Sequence, residues 1–302
     1  MKDFFKINFI LILLLSSCNK EKPDATYSNT NFYTLIHDEI ERGYYLFIPD
    51  SYNNDTKLPL LLNFHGFGGT AYSYIDKVDL RSLANSENFI LVYAQGTSLG
   101  PLPHWNAGLD TPNNKSNADD FGFVDKLITN LSNNYNIDSE RIYASGYSNG
   151  AMFSYALACY SDKIKGIASI AGTMLNETYN ECNPSHPISM INIHGSDDDT
   201  IPYNGSRGGF TPIQDVVDYW VDFNETSVNP EFYEFNDNQN IIEEYTYTNG
   251  NSNTTVKHIK IIGGGHKNLF EINFENNSGD FKFIFNILSI SFFEIIVVGI
   301  IN

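Results

Sequence analysis

The residues that could perform chemistry are gathered around one serine. The stretch Gly146-Tyr147-Ser148-Asn149-Gly150 fits the G-x-S-x-G pattern, in which a sharp strand-to-helix turn exposes a nucleophilic serine. Its surroundings agree, because residues 142–144 form an apolar, strand-like run and apolar residues recur at helical spacing over 149–160. The glycines are required where a β-carbon would collide with neighbouring backbone. Ser148 is therefore the candidate nucleophile.

A serine hydroxyl needs a base, usually a histidine that a carboxylate orients. Around such an elbow the chain order is nucleophile, acid, histidine. Five of the seven histidines precede the suitable acids and fail on order: His37, His65, His104, His186 and His194. His258 lies within a predicted strand, whereas His266 follows three glycines just past the end of that strand. We predict that His266 is the base.

The acid is expected after the apolar run 188–193, where Asp197, Asp198 and Asp199 are adjacent. The residue types alone leave the choice among the three open. A solvated loop is one alternative. A calcium site is a weaker one, because a calcium loop normally places its carboxylates at alternate positions.

An oxyanion hole would complete such a site, and each of its donors contributes about 2.7–4 kcal/mol to transition-state stabilisation. One donor is predicted to be the backbone N–H of Asn149. The other is predicted to be the N–H of Phe67, in the glycine-rich turn His65-Gly66-Phe67-Gly68-Gly69. This turn lacks the Lys-Ser/Thr ending of a phosphate-binding loop, which argues against that alternative.

Strands that alternate with helices must position these residues. The predicted strands cover 32–35, 44–48, 58–64, 89–93, 142–144, 167–170, 188–193, 241–248 and 256–262. One predicted helical stretch follows the glycine-rich turn and ends near 86. The other predicted helices cover 121–135, 149–160 and 213–223. This order predicts an α/β fold with a mixed, mainly parallel sheet flanked by helices on both faces.

Composition restricts the partners. The 302 residues are enough for one large domain, and the formal net charge of −18 argues against nucleic acid as a ligand. We predict no cofactor and no metal, and we expect a monomer.

The N-terminus predicts export. Two lysines, a short apolar run and small residues lead to Cys18, a pattern that resembles the lipobox of bacterial lipoproteins. We therefore expect a signal peptide over 1–17, lipidation of Cys18 and a tether over 18–30, with the protein at the outer membrane or cell surface. An ordinary signal peptide, giving a periplasmic or secreted protein, is the alternative. In that oxidising environment Cys159 and Cys182 favour a disulfide over two buried thiols.

Six motifs in order, between about 34 and 266, resemble the esterase/polyhydroxybutyrate depolymerase family, which includes feruloyl and acetyl-xylan esterases. They are His65 to Gly69, Trp105-Asn106, Asp119 to Phe123, Gly146 to Gly150, His194-Gly195-x-x-Asp198-x-x-Ile201-Pro202-Tyr203 and Gly263 to His266. The resemblance implies an α/β-hydrolase fold, with Ser148 as nucleophile, Asp198 as acid and His266 as base. It also supports the Cys159–Cys182 bridge and places Trp105 near the substrate, although Trp105 could instead simply fill the core. Tyr147 is a further aromatic candidate for substrate contact.

The resemblance implies a serine carboxylic ester hydrolase that forms an acyl-enzyme on feruloyl or acetyl esters of polysaccharides, or on polyhydroxyalkanoate-type polyesters. A peptidase on the same fold is one alternative. A non-catalytic surface lipoprotein that binds glycan or polymer is another.

The catalytic domain is predicted to span 31–266, because the resemblance stops after His266. The remaining segment 267–302 is an atypical apolar tail. It could be a membrane-associated segment or a divergent final helix. A shifted reading frame is the third explanation and the one that we favour slightly.

Overall fold

A computed structural model describes residues 29–266, except for residues 100, 101, 110, 113, 208, 238 and 239. The predicted signal peptide, Cys18, nearly all of the tether and the tail 267–302 lie outside the described residues. Among the described residues, no helix is both long enough and apolar enough to cross a bilayer.

The described residues form ten strands and six α-helices. The strands are β1 (Thr30–His37), β2 (Ile40–Phe47), β3 (Leu58–Phe64), β4 (Ile90–Ala94), β5 (Ile137–Tyr147), β6 (Gly166–Ile170), β7 (Ser189–Gly195), β8 (Glu231–Asp237), β9 (Asn240–Tyr247) and β10 (Val256–Ile261). The helices are α1 (Ala71–Lys77), α2 (Arg81–Glu87), α3 (Asp120–Asn134), α4 (Asn149–Tyr160), α5 (Asn176–Glu181) and α6 (Ile213–Asn224).

All ten strands join one sheet in the order β1-β2-β4-β3-β5-β6-β7-β10-β9-β8. The six central strands of this order (β4, β3, β5, β6, β7 and β10) are parallel to one another. The antiparallel pairs lie at the two ends of the sheet. The carboxyl ends of β5, β7 and β10 therefore lie on one rim, and the chain reaches Ser148, Asp198 and His266 just beyond them.

Helices cover both faces of the sheet. The apolar sides of α3, α4 and α6 share one core with one face, and those of α1 and α2 share a second core with the other face. Strands such as β3 and β7 are buried along their whole length, which explains their nearly continuous apolar sequences. The predicted mixed, mainly parallel sheet with helices on both faces is confirmed.

Some local details differ from the sequence predictions. The first hairpin turns over only two residues, Asp38 and Glu39, both with positive φ, so β2 begins earlier than expected. The helical stretch predicted to end near 86 is two helices, because the residues between Lys77 and Arg81 are not helical. We did not predict β8 or α5. The edge strand β8 exposes Phe232 and Tyr233, so its sequence lacks a clear buried face.

Cys159 and Cys182 form a disulfide bond in the structure. The bond joins the C-terminal end of α4 to the residue that follows α5.

Candidate active site

Ser148 occupies a strained turn between β5 and α4. Its backbone adopts φ 54° and ψ −116°, and its N–H donates to the Ile170 carbonyl at 2.9 Å. The turn passes so close to β3 that a β-carbon at Gly150 would lie 2.1 Å from the Phe64 carbonyl oxygen. A β-carbon at Gly146 would lie 2.3 Å from the backbone of Gly150. Both glycines of the motif are thus required by backbone contacts.

The structure brings Ser148, His266 and Asp198 together in one chain of hydrogen bonds. Nε2 of His266 lies 3.0 Å from the Ser148 hydroxyl oxygen, and Nδ1 lies 2.7 Å from Oδ2 of Asp198. A carboxylate can only accept, so Nδ1 carries the proton of the neutral ring and Nε2 presents a lone pair to the serine. This arrangement can remove the hydroxyl proton as the oxygen attacks an electrophile.

Asp198 is the only one of the three adjacent aspartates that contacts His266. It is 5% exposed, whereas Asp197 and Asp199 are exposed. Burial raises the pKa of Asp198. The hydrogen bonds that the carboxylate accepts from His266 and from the N–H groups of Ile201 and Thr200 lower the pKa by more. The resulting pKa lies below the ordinary value for aspartate. The carboxylate therefore stays charged and can stabilise an imidazolium.

The loops that carry the acid and the base pack directly against each other. A β-carbon at Gly195 would lie 2.1 Å from the Gly264 carbonyl oxygen, which itself accepts from the Asp197 N–H at 3.0 Å. On the other side, the Tyr147 hydroxyl donates to the His266 carbonyl at 3.0 Å. Tyr147 is not among the described residues that line the cavity at Ser148. Tyr147 therefore supports the histidine loop, and its contact with substrate stays a prediction.

The two residues predicted to supply the oxyanion donors, Phe67 and Asn149, line the same cavity as Ser148. The Gly66 carbonyl accepts from Nδ1 of His65 at 2.8 Å and from the Gly69 N–H at 3.0 Å. In a trans peptide the carbonyl and the following N–H point in opposite directions, so the Phe67 N–H points away from these donors. Gly66 approaches the serine closely, since a β-carbon there would lie 3.4 Å from Cβ of Ser148. The second donor, the Asn149 N–H, belongs to the first residue of α4.

His65 has a structural role at the glycine-rich turn, which we did not predict. Its Nε2 accepts from the Gly96 N–H at 2.9 Å, so Nδ1 carries the proton that it donates to Gly66. Burial lowers the pKa of His65 to about 4. The neutral ring therefore fixes the peptide that presents the Phe67 N–H. Its place at the start of the glycine-rich turn was the available signal.

The Asn149 side chain ties a neighbouring loop to the elbow. Its Oδ1 accepts from the Trp105 N–H at 2.8 Å, and its Nδ2 donates to the Trp105 carbonyl at 2.9 Å. The Trp105 ring is only 1% exposed and stacks on Phe153 with centroids 5.2 Å apart. Trp105 thus fills the core and also contributes to the wall of the cavity at Ser148.

A cavity of about 240 Å³ opens at Ser148. Most of its walls are apolar or aromatic, and they are formed by Phe67, Trp105, Ala107, Lys115, Ser148, Asn149, Met152, Leu175, Thr200, Ile201, Gly209 and Phe210. Such a cavity suits an apolar substituent on the carbon that the serine attacks.

One group of described side chains has ligand atoms close enough to hold a metal: His37, Asp38 and Asp119. None of these belongs to the hydrogen-bonded chain at Ser148. Nε2 of His37 lies 2.9 Å from Oδ2 of Asp119, so these two side chains form a hydrogen bond with each other.

Comparisons with known proteins show a family and several relatives. Residues 52–208 match the family model described as phospholipase/carboxylesterase. A bifunctional acetylxylan esterase/xylanase of Neocallimastix patriciarum is 28% identical over 209 residues, covering 69% of this chain and 28% of that protein. Feruloyl esterase B of Piromyces equi is 29% identical over 161 residues, covering 52% of this chain and 29% of that protein. The chain therefore spans less than a third of the length of these relatives.

A solved structure shows the same fold. A ferulic acid esterase from Anaeromyces mucronatus superposes with a TM-score of 0.56 at 15% identity, covering 93% of this chain and 95% of that protein. Together with the family match, it confirms the α/β-hydrolase fold and the relationship to carboxylesterases inferred from the motifs.

Proposed function

Because the chain belongs to the phospholipase/carboxylesterase family, we propose that it is a serine carboxylic ester hydrolase. The observation that carries this proposal is the hydrogen-bonded chain from Ser148 through His266 to Asp198. We infer an ester substrate from the description of the family and from the names of the relatives, which are esterases.

In the proposed reaction, Nε2 of His266 takes the hydroxyl proton of Ser148 as the oxygen adds to the ester carbonyl carbon. The N–H groups of Phe67 and Asn149 stabilise the oxyanion. His266 then returns the proton to the departing alkoxide, which leaves as the alcohol, and the acyl group stays on Ser148. A water molecule then gives a proton to His266 as its oxygen attacks the acyl carbon. His266 returns that proton to the Ser148 oxygen as the bond between this oxygen and the acyl carbon breaks, which releases the carboxylic acid and restores the serine hydroxyl.

The proposed substrates are esters attached to polysaccharide. The named relatives act on feruloyl or acetyl-xylan esters, and the aromatic walls around Ser148 favour a feruloyl-type acyl group over acetyl. The volume of 240 Å³ lies just under the ~300–1,000 Å³ typical of pockets for drug-sized ligands, so it suits one ring with a short arm. The motifs also resemble those of polyhydroxybutyrate depolymerases, so this polyester is a third candidate substrate. Measuring hydrolysis of feruloylated xylan, acetylated xylan and polyhydroxybutyrate would rank the three.

Replacement of Ser148 by alanine tests the function. Ser148→Ala should reduce hydrolysis of methyl ferulate and p-nitrophenyl acetate by at least ~10³-fold, because the acyl-enzyme can no longer form. It should also remove labelling by a fluorophosphonate, which reacts only with an activated serine. The control is Ser161→Ala, which removes a hydroxyl from the loop after α4. Undiminished turnover in Ser148→Ala would refute the nucleophile, and an unlabelled wild-type protein would favour a non-catalytic binding protein.

We further propose that the protein is exported and anchored through a lipid on Cys18. The support is the lipobox-like sequence, which is confined to residues outside the described part of the chain. Mass spectrometry of protein expressed in a bacterial host should find an acylated Cys18 as the first residue, and Cys18→Ala should release the protein from membranes. An unmodified N-terminus at another position would instead indicate an ordinary signal peptide.

A further inference from the structure

The cavity at Ser148 has an apolar inner part and an end that faces solvent. Phe67 is 45% exposed and Thr200 is also exposed, so these two residues lie at the open end. The inner walls come from side chains that are 7% exposed or less: Trp105, Ala107, Met152, Leu175 and Ile201. An acyl group on Ser148 would therefore extend from the nucleophile into a space between apolar walls.

Several of these inner walls are fixed in place. The indole N–H of Trp105 donates to the His65 carbonyl at 3.1 Å, which orients the ring. The Ile201 N–H donates to Oδ1 of Asp198 at 2.8 Å, so the wall that Ile201 forms is tied to the loop of the acid. Ala107 contributes only a methyl group, which has no alternative rotamer. These walls have little freedom to adapt to different acyl groups.

Leu175 belongs to a wall in which two loops pair with each other. It forms an isolated β-bridge with Phe210, which also lines the cavity. The Asn176 N–H donates to the Gly209 carbonyl at 3.0 Å. These contacts join the loop before α5 to the loop before α6, so this side of the cavity is also held by backbone hydrogen bonds.

Met152 is the wall that can adapt. It is the one long, unbranched and buried side chain among the described residues that line the cavity. A thioether chain of this kind fills irregular gaps by changing rotamer. The Met152 N–H donates to the Ser148 carbonyl at 3.0 Å, so the methionine lies one helical turn beyond the nucleophile. The position of its thioether therefore decides how much of the cavity is open to an acyl chain.

Building on the proposed ester hydrolase function, we propose that Met152 determines the length of the acyl group that Ser148 accepts. The thioether closes the cavity beyond an acyl group of one ring and a short arm, in keeping with the volume of about 240 Å³. A short acyl group such as acetyl does not reach this side chain. Its hydrolysis should therefore depend little on the residue at position 152.

The test measures the ratio of kcat/KM for p-nitrophenyl octanoate to kcat/KM for p-nitrophenyl acetate. The two esters share one leaving group, and the ratio does not depend on the fraction of protein that is folded. Met152→Ala removes Cγ, Sδ and Cε and should raise the ratio about tenfold, because space for further methylenes in an apolar pocket changes kcat/KM by about this factor or more. Met152→Leu keeps a similar volume and should stay near the wild-type ratio.

Met152→Phe tests the proposal in the opposite direction. The ring is bulkier and stiffer than the thioether, so it should lower the ratio about tenfold. The matched control is Met190→Ala, which removes the same atoms from a methionine that is 0% exposed in the same core. Met190 is not among the described residues that line the cavity, so this variant should keep the wild-type ratio.

An unchanged ratio in a folded Met152→Ala or Met152→Phe variant would overturn the role of Met152, as would an equal rise in Met190→Ala. The wild-type protein separates this proposal from the proposed function. If it hydrolyses these esters while the ratio does not respond at position 152, the selection by Met152 is wrong and the esterase function stands. If it hydrolyses neither ester, nor methyl ferulate, both proposals fail.

Discussion

The two carboxylate oxygens of Asp198 have different partners. Oδ1 accepts from the N–H groups of Thr200 and Ile201, and Oδ2 accepts from Nδ1 of His266. The first pair of bonds fixes the carboxylate in the loop after β7. The remaining bond fixes the orientation and the tautomer of the base, so the residue acts on Ser148 only through His266.

Replacement of Asp198 by asparagine should therefore impair the base while leaving the loop folded. With its oxygen on the Thr200 and Ile201 N–H groups, the new amide would donate its NH₂ to Nδ1 of His266. The ring proton would then sit on Nε2, which could no longer accept from Ser148. We expect Asp198→Asn to lower kcat for ester hydrolysis on the order of 10²–10⁴-fold.

The matched control is Asp199→Asn, which makes the same change one residue away at an exposed side chain. It should keep most of the activity. Equal losses in the two variants would show that the charge of the loop matters and that the hydrogen bond to His266 does not.

At the scale of elements, the site depends on how closely α4 packs behind the elbow. The backbone of Gly150 is so near β3 that an added methyl group would meet two carbonyl oxygens, those of Phe64 at 2.1 Å and His65 at 2.7 Å. Neither carbonyl can move without displacing β3 or the loop that carries Phe67. Gly150→Ala should thus lower the free energy of unfolding by about 3 kcal/mol or more.

Gly265→Ala is the control for this prediction, because a β-carbon at Gly265 would have no atom within 4 Å. Its free energy of unfolding should change by less than about 1 kcal/mol. Urea unfolding of both variants gives the comparison, and similar stabilities would contradict the close approach at Gly150.

At the scale of the whole molecule, buried neutral histidines make the fold sensitive to acid. Burial lowers the pKa of His65 to about 4 and that of His258 to about 3. In the unfolded chain both would titrate near ~6.5, so between these values the unfolded state binds more protons. Stability should therefore fall as the pH decreases below ~6.5, by roughly 2 kcal/mol for each histidine at about pH 5.

Urea unfolding at about pH 7.5 and about pH 5 measures this loss. His258→Gln has no titrating group at that position, so its loss of stability over the same interval should be smaller than that of the wild-type protein by roughly 2 kcal/mol. A wild-type stability that is equal at the two pH values would contradict the prediction.

The sequence alone identified most of the elements and most of the residues of the candidate site. Long apolar runs revealed the central strands because those strands are buried on both faces. Ser148 and His266 were predicted because an elbow and a glycine-rich loop leave local patterns at these positions, and the structure places the two side chains within hydrogen-bond distance. Edge strand β8 was missed because its exposed side chains carry no such pattern.

Only the tertiary structure shows which residues far apart in the chain contact each other. The residue types could not choose among three adjacent aspartates, because the choice depends on which carboxylate faces a histidine 68 residues further on. The support that Tyr147 gives to the His266 loop spans 119 residues, and the pairing of Asn149 with Trp105 spans 44. Local spacing determines which side chains are present on each strand end and turn. Their roles are set by hydrogen-bond partners that meet only when the sheet brings its strand ends to one rim.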